Sequence, residues 1–187
     1  MNINYKSPGA LEETRFEKIH SVIFDDSKNA SLTIAKEIST LIRNKKEKNK
    51  NCVLGLATGS SPISVYQELV RMHKEEGLSF KNVVTFNLDE YYPMSKEDIN
   101  SYHYFMNIHL FDHIDIKKEN IHIPDGTVKK EDINDYCDEY EKKILKEGGL
   151  DFQLLGIGRT GHIGFNEPGS NYDSLTRLVY LDYLTRN

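Results

Sequence analysis

The stretch CVLGLATGSSP, residues 52–62, sets the architecture of the chain. Cys52 to Ala57 is an unbroken apolar run of strand length. Such runs suit strands covered on both faces, as in parallel sheets, whereas half-exposed strands alternate apolar and polar residues. Thr58-Gly-Ser-Ser-Pro62 stops the strand, and Val65, Tyr66, Leu69, Val70 and Met72 then recur at helical spacing. Pro62 suits the first helical position and Gly77 the exit. Strand, glycine–hydroxyl turn and helix form one unit.

The same alternation extends both ways. Upstream, Val22–Phe24 reads as a short strand, and Leu32, Ala35, Ile38, Leu41 and Ile42 as a helix that Asp26 or Ser27 can cap. Downstream, Val83–Leu88 is a strand ending at Asp89-Glu90-Tyr91-Tyr92-Pro93. A helix follows from about Ser101 to Phe111, then a short strand at Ile121–Ile123 and a turn at Pro124-Asp-Gly126. Asp132–Glu147 is helical by pattern and closed by Gly148-Gly149. Phe152–Ile157 is a further buried strand, and Leu175–Leu181 one more. This order predicts right-handed crossovers and a doubly wound, mostly parallel α/β sheet with helices on both faces, Rossmann-like in class. Residues 1–21 read as a polar N-terminal extension and residues 22–187 as the α/β domain. Ligands of such sheets sit outside the carboxyl ends of the strands. Three segments rich in glycine or acid follow strands directly, so all three are expected at one edge.

The bulk properties narrow the partners. The 187 residues carry 24 basic and 29 acidic side chains, a formal charge of −5. A mildly acidic surface gains nothing from counterion release, so no nucleic-acid partner is expected. Lys45, Lys46, Lys48 and Lys50 read as a solvated helix end, diluted by Glu47 and Asn49. No run approaches the ~18 apolar residues of a membrane span, and the N-terminus lacks the apolar core of a signal peptide. Cys52 and Cys137 match no metal spacing and read as free thiols of a cytoplasmic protein.

Each strand-end segment carries its own chemistry. Thr58, Gly59, Ser60 and Ser61 offer three hydroxyls and a flexible backbone at a helix start, where unpaired N–H groups and the positive dipole end favour an anion. The Walker lysine and the dinucleotide glycine pattern are both missing. Asp89 and Glu90 are adjacent at a strand end and point to opposite faces if the strand continues through them. One faces the ligand edge, where Leu88 and two tyrosines can raise its pKa toward that of a general base. In GIGRTGHIGFNEPGS (156–170), Gly161 and Gly164 flank His162 and let the backbone fold tightly around it. Histidine moves protons both ways near neutral pH. Glu167 can orient the imidazole and Asn166 can hold a substrate hydroxyl. The simple alternatives are a helix cap, a solvated turn and a structural glycine loop. His109 and His113 share helical spacing but lack an acid or cysteine to complete a zinc set. The aromatics of Tyr102-His-Tyr-Phe-Met106 are expected to pack and not to bind.

Taken together, LGLATGSSP (54–62), TFNLDEYYP (85–93), NSYHYFM (100–106), ENIHIPDG (119–126) and GIGRTGHIGFNEPGS (156–170) resemble the glucosamine-6-phosphate deaminase (isomerase) family. The resemblance implies a sheet of the deaminase and pentose-phosphate-isomerase type and the conversion of glucosamine 6-phosphate and water into fructose 6-phosphate and ammonium. It implies a phosphosugar partner, a homo-oligomer, no cofactor and no catalytic metal. Asp89 corresponds to the acid that shuttles a proton between C2 and C1. His162, supported by Glu167 and by the residue at Thr160, corresponds to the ring-opening group. Thr58–Ser61, Gly158 and Asn166 fall at substrate-binding positions. Two departures stand out. Many members carry aspartate where this chain has Thr160, which cannot stabilise an imidazolium by charge. Allosteric hexameric members carry a basic residue where this chain has Val179, although Ser170 and Arg177 match, so activation by an N-acetylated sugar phosphate is not expected.

The family domain runs past residue 187, and its missing part should bring an arginine and a lysine to the phosphate. The 187 residues are therefore expected to be a fragment of a longer enzyme and to turn over little substrate alone. The competing readings are a related sugar-phosphate isomerase or lactonase, which releases no ammonium, and a non-catalytic sugar-phosphate-binding effector domain, which needs no acid and histidine together.

Overall fold

The computed structural model describes residues 21–183. Most of the expected N-terminal extension, residues 1–20, and the last four residues, 184–187, lie outside them. Four parallel strands form one sheet in the order β3-β2-β1-β4, with β1 Cys52–Leu56, β2 Val83–Asn87, β3 Ile121–His122 and β4 Phe152–Gln153. The helices are α1 Ser27–Glu47, α2 Ser60–Glu76, α3 Tyr102–His109 and α4 Ile133–Lys146. This is the parallel α/β architecture that the strand-and-helix alternation predicts.

Strand periodicity sorts the core into two layers. Leu54, Leu56 and Val83 face one side and pack with Ile38 and Ile42 of α1 and Val65, Tyr66 and Leu69 of α2. Val53, Val84 and Phe86 face the other and pack with Tyr140 of α4. Every residue of β1 and β2 is buried, as the unbroken apolar run of β1 requires, and in β2 this includes the polar Thr85 and Asn87. Each fully buried aliphatic side chain contributes about 1.5–3 kcal/mol.

The helix ends follow local chemistry. Asp26 caps α1 by accepting from the Asn29 N–H at 2.7 Å. Lys45, in the last turn of α1, pairs with Asp151, which also accepts from the Val53 N–H at 2.9 Å. This ion pair fastens the end of α1 to the entry of β4. α2 ends on Gly77 in the left-handed region, φ 67°. It starts two residues earlier than the proline suggests, so Pro62 is its third residue. A first-turn N–H has no acceptor within the helix, so proline costs nothing there.

Three expected strands differ. Val22–Phe24 is irregular, with Ile23 exposed. Phe152–Ile157 pairs with β1 only through Phe152 and Gln153, after which Leu155 and Ile157 turn to the surface. Leu175–Leu181 carries strand propensity but joins no ladder. The segment is held by side chains instead: the Thr176 N–H and hydroxyl donate to Glu141 at 2.8 and 2.6 Å. Propensity makes a strand only where a neighbour offers backbone partners. The predicted helix from Ser101 ends at His109, and a separate short turn carries Phe111–His113. His109 packs against Phe105 at a tilt, with ring centroids 4.4 Å apart, and His113 Nε2 bonds the Ile108 carbonyl at 2.8 Å. The two rings therefore belong to separate local packings.

The Pro124–Gly126 turn braces the loop after β2. The Met94 N–H donates to the Gly126 carbonyl at 2.9 Å. A Cβ on Gly126 would lie 2.6 Å from the carbonyl oxygens of Met94 and Tyr91. These are backbone atoms and cannot step aside without moving the loop. Gly126→Ala is expected to lower stability by about 1–3 kcal/mol, the range for overpacking. Urea unfolding checks this, and an unchanged midpoint contradicts it.

Candidate active site

Register brings the first two segments together. Leu56 pairs with Asn87, and the Leu88 N–H donates to the Leu56 carbonyl at 3.1 Å. Thr58 and Asp89 therefore leave adjacent strands at the same edge. Gly59 adopts φ 108°, open to glycine at little cost, and turns the chain into α2, whose first residues Ser60 and Ser61 are exposed. No side chain caps this start. Its N–H groups and hydroxyls form an anion-type terminus facing solvent.

The two acids after β2 take opposite tasks. The Glu90 carboxylate accepts from the Tyr91 N–H at 2.8 Å, from Tyr102 N–H at 2.9 and 3.0 Å, and from His103 N–H at 3.2 Å. It sits at the start of α3, where the helix dipole favours a negative charge. Asp89 turns the other way, toward the glycine-rich loop: its Oδ2 lies 3.2 Å from where a Cβ on Gly164 would stand. Burial pushes the Asp89 carboxyl up from 3.8 to about 7, and the neighbouring Glu90 charge adds to the rise.

The glycine-rich loop holds a three-residue relay. The Thr160 hydroxyl lies 2.8 Å from His162 Nδ1 and 3.2 Å from Glu167 Oε2, while His162 and Glu167 are 3.9 Å apart. A hydroxyl has one hydrogen. Directed at Glu167, it leaves a lone pair for Nδ1–H, which makes Nε2 the basic nitrogen. Threonine thus bridges the imidazole to a carboxylate that stands beyond hydrogen-bond reach. The imidazole lies across Gly158, where a Cβ would fall 1.9 Å from Nε2, so only glycine leaves room for the ring. The carbonyl of His162 accepts from the Gly158 N–H at 2.8 Å and closes the loop. Asn166 pairs its backbone with Ile163 in this loop, and its Oδ1 accepts from Arg177 at 2.8 Å.

A cavity of about 650 Å³ opens beside this edge, between the loop after β2, α4 and residues 174–181. It shares Asp89, Phe165 and Asn166 with the segments above, but Thr58–Ser61 and His162 do not line it. The acid therefore stands between the cavity and the relay. Among the described residues, no group of three His, Cys, Asp or Glu side chains could hold a metal ion, and no helix is long and apolar enough to cross a membrane. Sequence reading missed one element: the rings of Tyr91, Tyr102 and Phe165 cluster with centroids 5.0–5.7 Å apart and join the second and third segments. The motif NSYHYFM was the available signal.

Fold and edge together define a doubly wound α/β chain with a carboxylate and an imidazole relay beside a helix start. Residues 25–170 match the family described as glucosamine-6-phosphate isomerases/6-phosphogluconolactonase, and the chain belongs to it. It is 50% identical over 153 residues to the glucosamine-6-phosphate deaminase of Bacillus velezensis, covering 82% of this chain and 63% of that one. It is 50% identical over 186 residues to a glucosamine-6-phosphate deaminase-like protein of Bacteroides thetaiotaomicron, covering 98% of this chain and 28% of that one. A solved monomeric glucosamine-6-phosphate deaminase superposes with a TM-score of 0.82 at 44% identity, over 87% of this chain and 65% of that one. The chain thus spans less than two thirds of each of these relatives.

An acid whose pKa is raised by folding binds its proton more tightly folded than unfolded. The stability this contributes is complete below about pH 4, the unfolded value, and is lost as pH rises through about 7. Asparagine at position 89 cannot ionise. Asp89→Asn is therefore expected to gain stability over the native protein progressively between these limits. Thermal midpoints at about pH 4.5 and about pH 7.5 check this, and a difference that does not change with pH contradicts it.

Proposed function

We propose that the protein is a glucosamine-6-phosphate deaminase, converting glucosamine 6-phosphate and water into fructose 6-phosphate and ammonium. The observation that carries the reading is the Asp89 carboxyl, with a pKa near neutrality, folded against the loop that bears His162. The names of the relatives support the same reaction.

The steps follow from the groups present. Thr58–Ser61 and the start of α2 bind the 6-phosphate. His162 takes the O1 proton and protonates the ring oxygen, with Thr160 and Glu167 setting its tautomer. An acid with a pKa near the working pH both accepts and returns a proton. Asp89 removes the C2 proton and delivers it to C1 through a planar enolamine. Gly158 lets the sugar and the imidazole approach closely, and Asn166 binds a sugar hydroxyl. Water then attacks C2 of the ketimine and ammonia leaves. No step calls for a metal or a cofactor. The α/β domain is assigned to residues 22–187, after the extension of residues 1–21. A cytoplasmic location fits the two free, buried cysteines. A homo-oligomer remains part of the proposal, beside a similar structure that is monomeric. Sedimentation of the native protein decides between them.

In the native protein, Asp89→Asn is expected to cut ammonium release by about 10²–10⁴-fold, the share of a general acid–base group, while phosphosugar binding persists. Turnover near the native rate, or lost binding with turnover retained, overturns the assignment.

A further inference from the structure

Residues 174–182 form neither helix nor strand, yet they grip the glycine-rich loop at two neighbouring residues. The Arg177 guanidinium donates to Asn166 Oδ1 at 2.8 Å and to Ser170 Oγ at 3.3 Å. The Asp182 N–H donates to Glu167 Oε1 at 3.2 Å. The segment is a strap, and it forms one wall of the cavity that Asp89 also lines.

Glu141 of α4 ties this strap to the body of the protein. Its Oε1 accepts from both the N–H and the hydroxyl of Thr176, at 2.8 and 2.6 Å, one residue before Arg177. The helix beneath is firmly seated. Tyr140, the residue before Glu141, packs with Val53, Val84 and Phe86, and its hydroxyl donates to the carbonyls of Asn87 and His122 at 2.9 and 3.1 Å. The bond between Arg177 and Asn166 is exposed, so water competes for both partners. An arginine on a loose segment also loses much freedom when it settles on one acceptor. Ordering the chain at Thr176 removes most of that cost before Arg177 engages. Arginine only donates. Engaged at Oδ1, it fixes the orientation of the Asn166 amide and leaves the NH2 end as the donor for a ligand hydroxyl.

We propose that Glu141 is a positioning residue of this site: it pins residues 174–182 to α4 through Thr176, so that Arg177 holds the Asn166 amide in one orientation. The sugar hydroxyl that Asn166 meets rests on the deaminase reading, but the pinning does not.

Hydrogen exchange on the ligand-free native protein tests the pinning. Glu141→Ala is expected to speed amide exchange in residues 174–182 at least about fivefold, the equivalent of one hydrogen bond, with the β1 amides unchanged. Glu141→Gln keeps an oxygen with two lone pairs at the same place and is expected to stay near the native rate. Thr176→Val removes the hydroxyl but keeps the N–H. It is expected to speed the strap less than Glu141→Ala does, and to add nothing when combined with it. For glucosamine 6-phosphate, Glu141→Ala raises KM about fivefold at native kcat, because Glu167 still meets Thr160 through its other oxygen. Glu141→Gln restores the native KM. Unchanged strap exchange, exchange raised equally across β1, or a Gln variant as loose as the Ala variant overturns the inference. So does a Glu141→Ala protein that deaminates the sugar with native KM, or one in which Thr176→Val adds its full effect. If exchange responds as expected while the native protein neither binds nor deaminates this sugar, the pinning stands and the deaminase reading fails.

Discussion

The register between β1 and β2 is the constraint on which the rest depends. Pairing Leu56 with Asn87 brings two strands to an end at the same level. The segments that follow must leave at one edge, side by side. A one-residue slip would swap the faces of Asn87, Asp89 and Glu90 and send the site acid into the protein body. Burial on both faces prevents that slip, because Val53 and Val84 belong to one layer and Leu54 and Val83 to the other.

Given that register, adjacent carboxylates acquire different characters without any unusual chemistry. Glu90 accepts hydrogen bonds from backbone N–H groups at a helix start. Asp89 finds enclosure and a like charge instead, and both disfavour ionisation. The same economy appears in the third loop. Thr160 carries no charge, yet its hydroxyl touches both His162 and Glu167. The charge lies one residue further away, and the hydroxyl transmits its orienting effect to the imidazole.

Much of this was legible in the sequence. β1 was readable because its run of strand length is apolar throughout and ends at a glycine–hydroxyl turn. The parting of Asp89 and Glu90 was expected from strand periodicity, but β2 ends at Asn87, and it is the loop that turns Glu90 to the backbone donors at the start of α3. Leu175–Leu181 was misread because its pattern is that of a strand, while pairing depends on a neighbour that no local pattern reveals. Tyr102 is expected to pack, and it does, but its partners include Phe165, sixty-three positions later in the chain, with ring centroids 5.7 Å apart. A contact of that range leaves no trace in local periodicity. The Thr160 bridge was likewise out of reach, since it depends on the loop folding Glu167 back beside His162.

The central claim is that the helix start, the acid and the imidazole relay serve one phosphosugar. A crystal structure of the native protein with fructose 6-phosphate tests it most directly. The account predicts the phosphate at the N–H groups of Ser60 and Ser61 and the C1–C2 edge of the sugar between Asp89 and His162. A sugar seated in the cavity between α4 and residues 174–181, with its phosphate away from the start of α2, would contradict it.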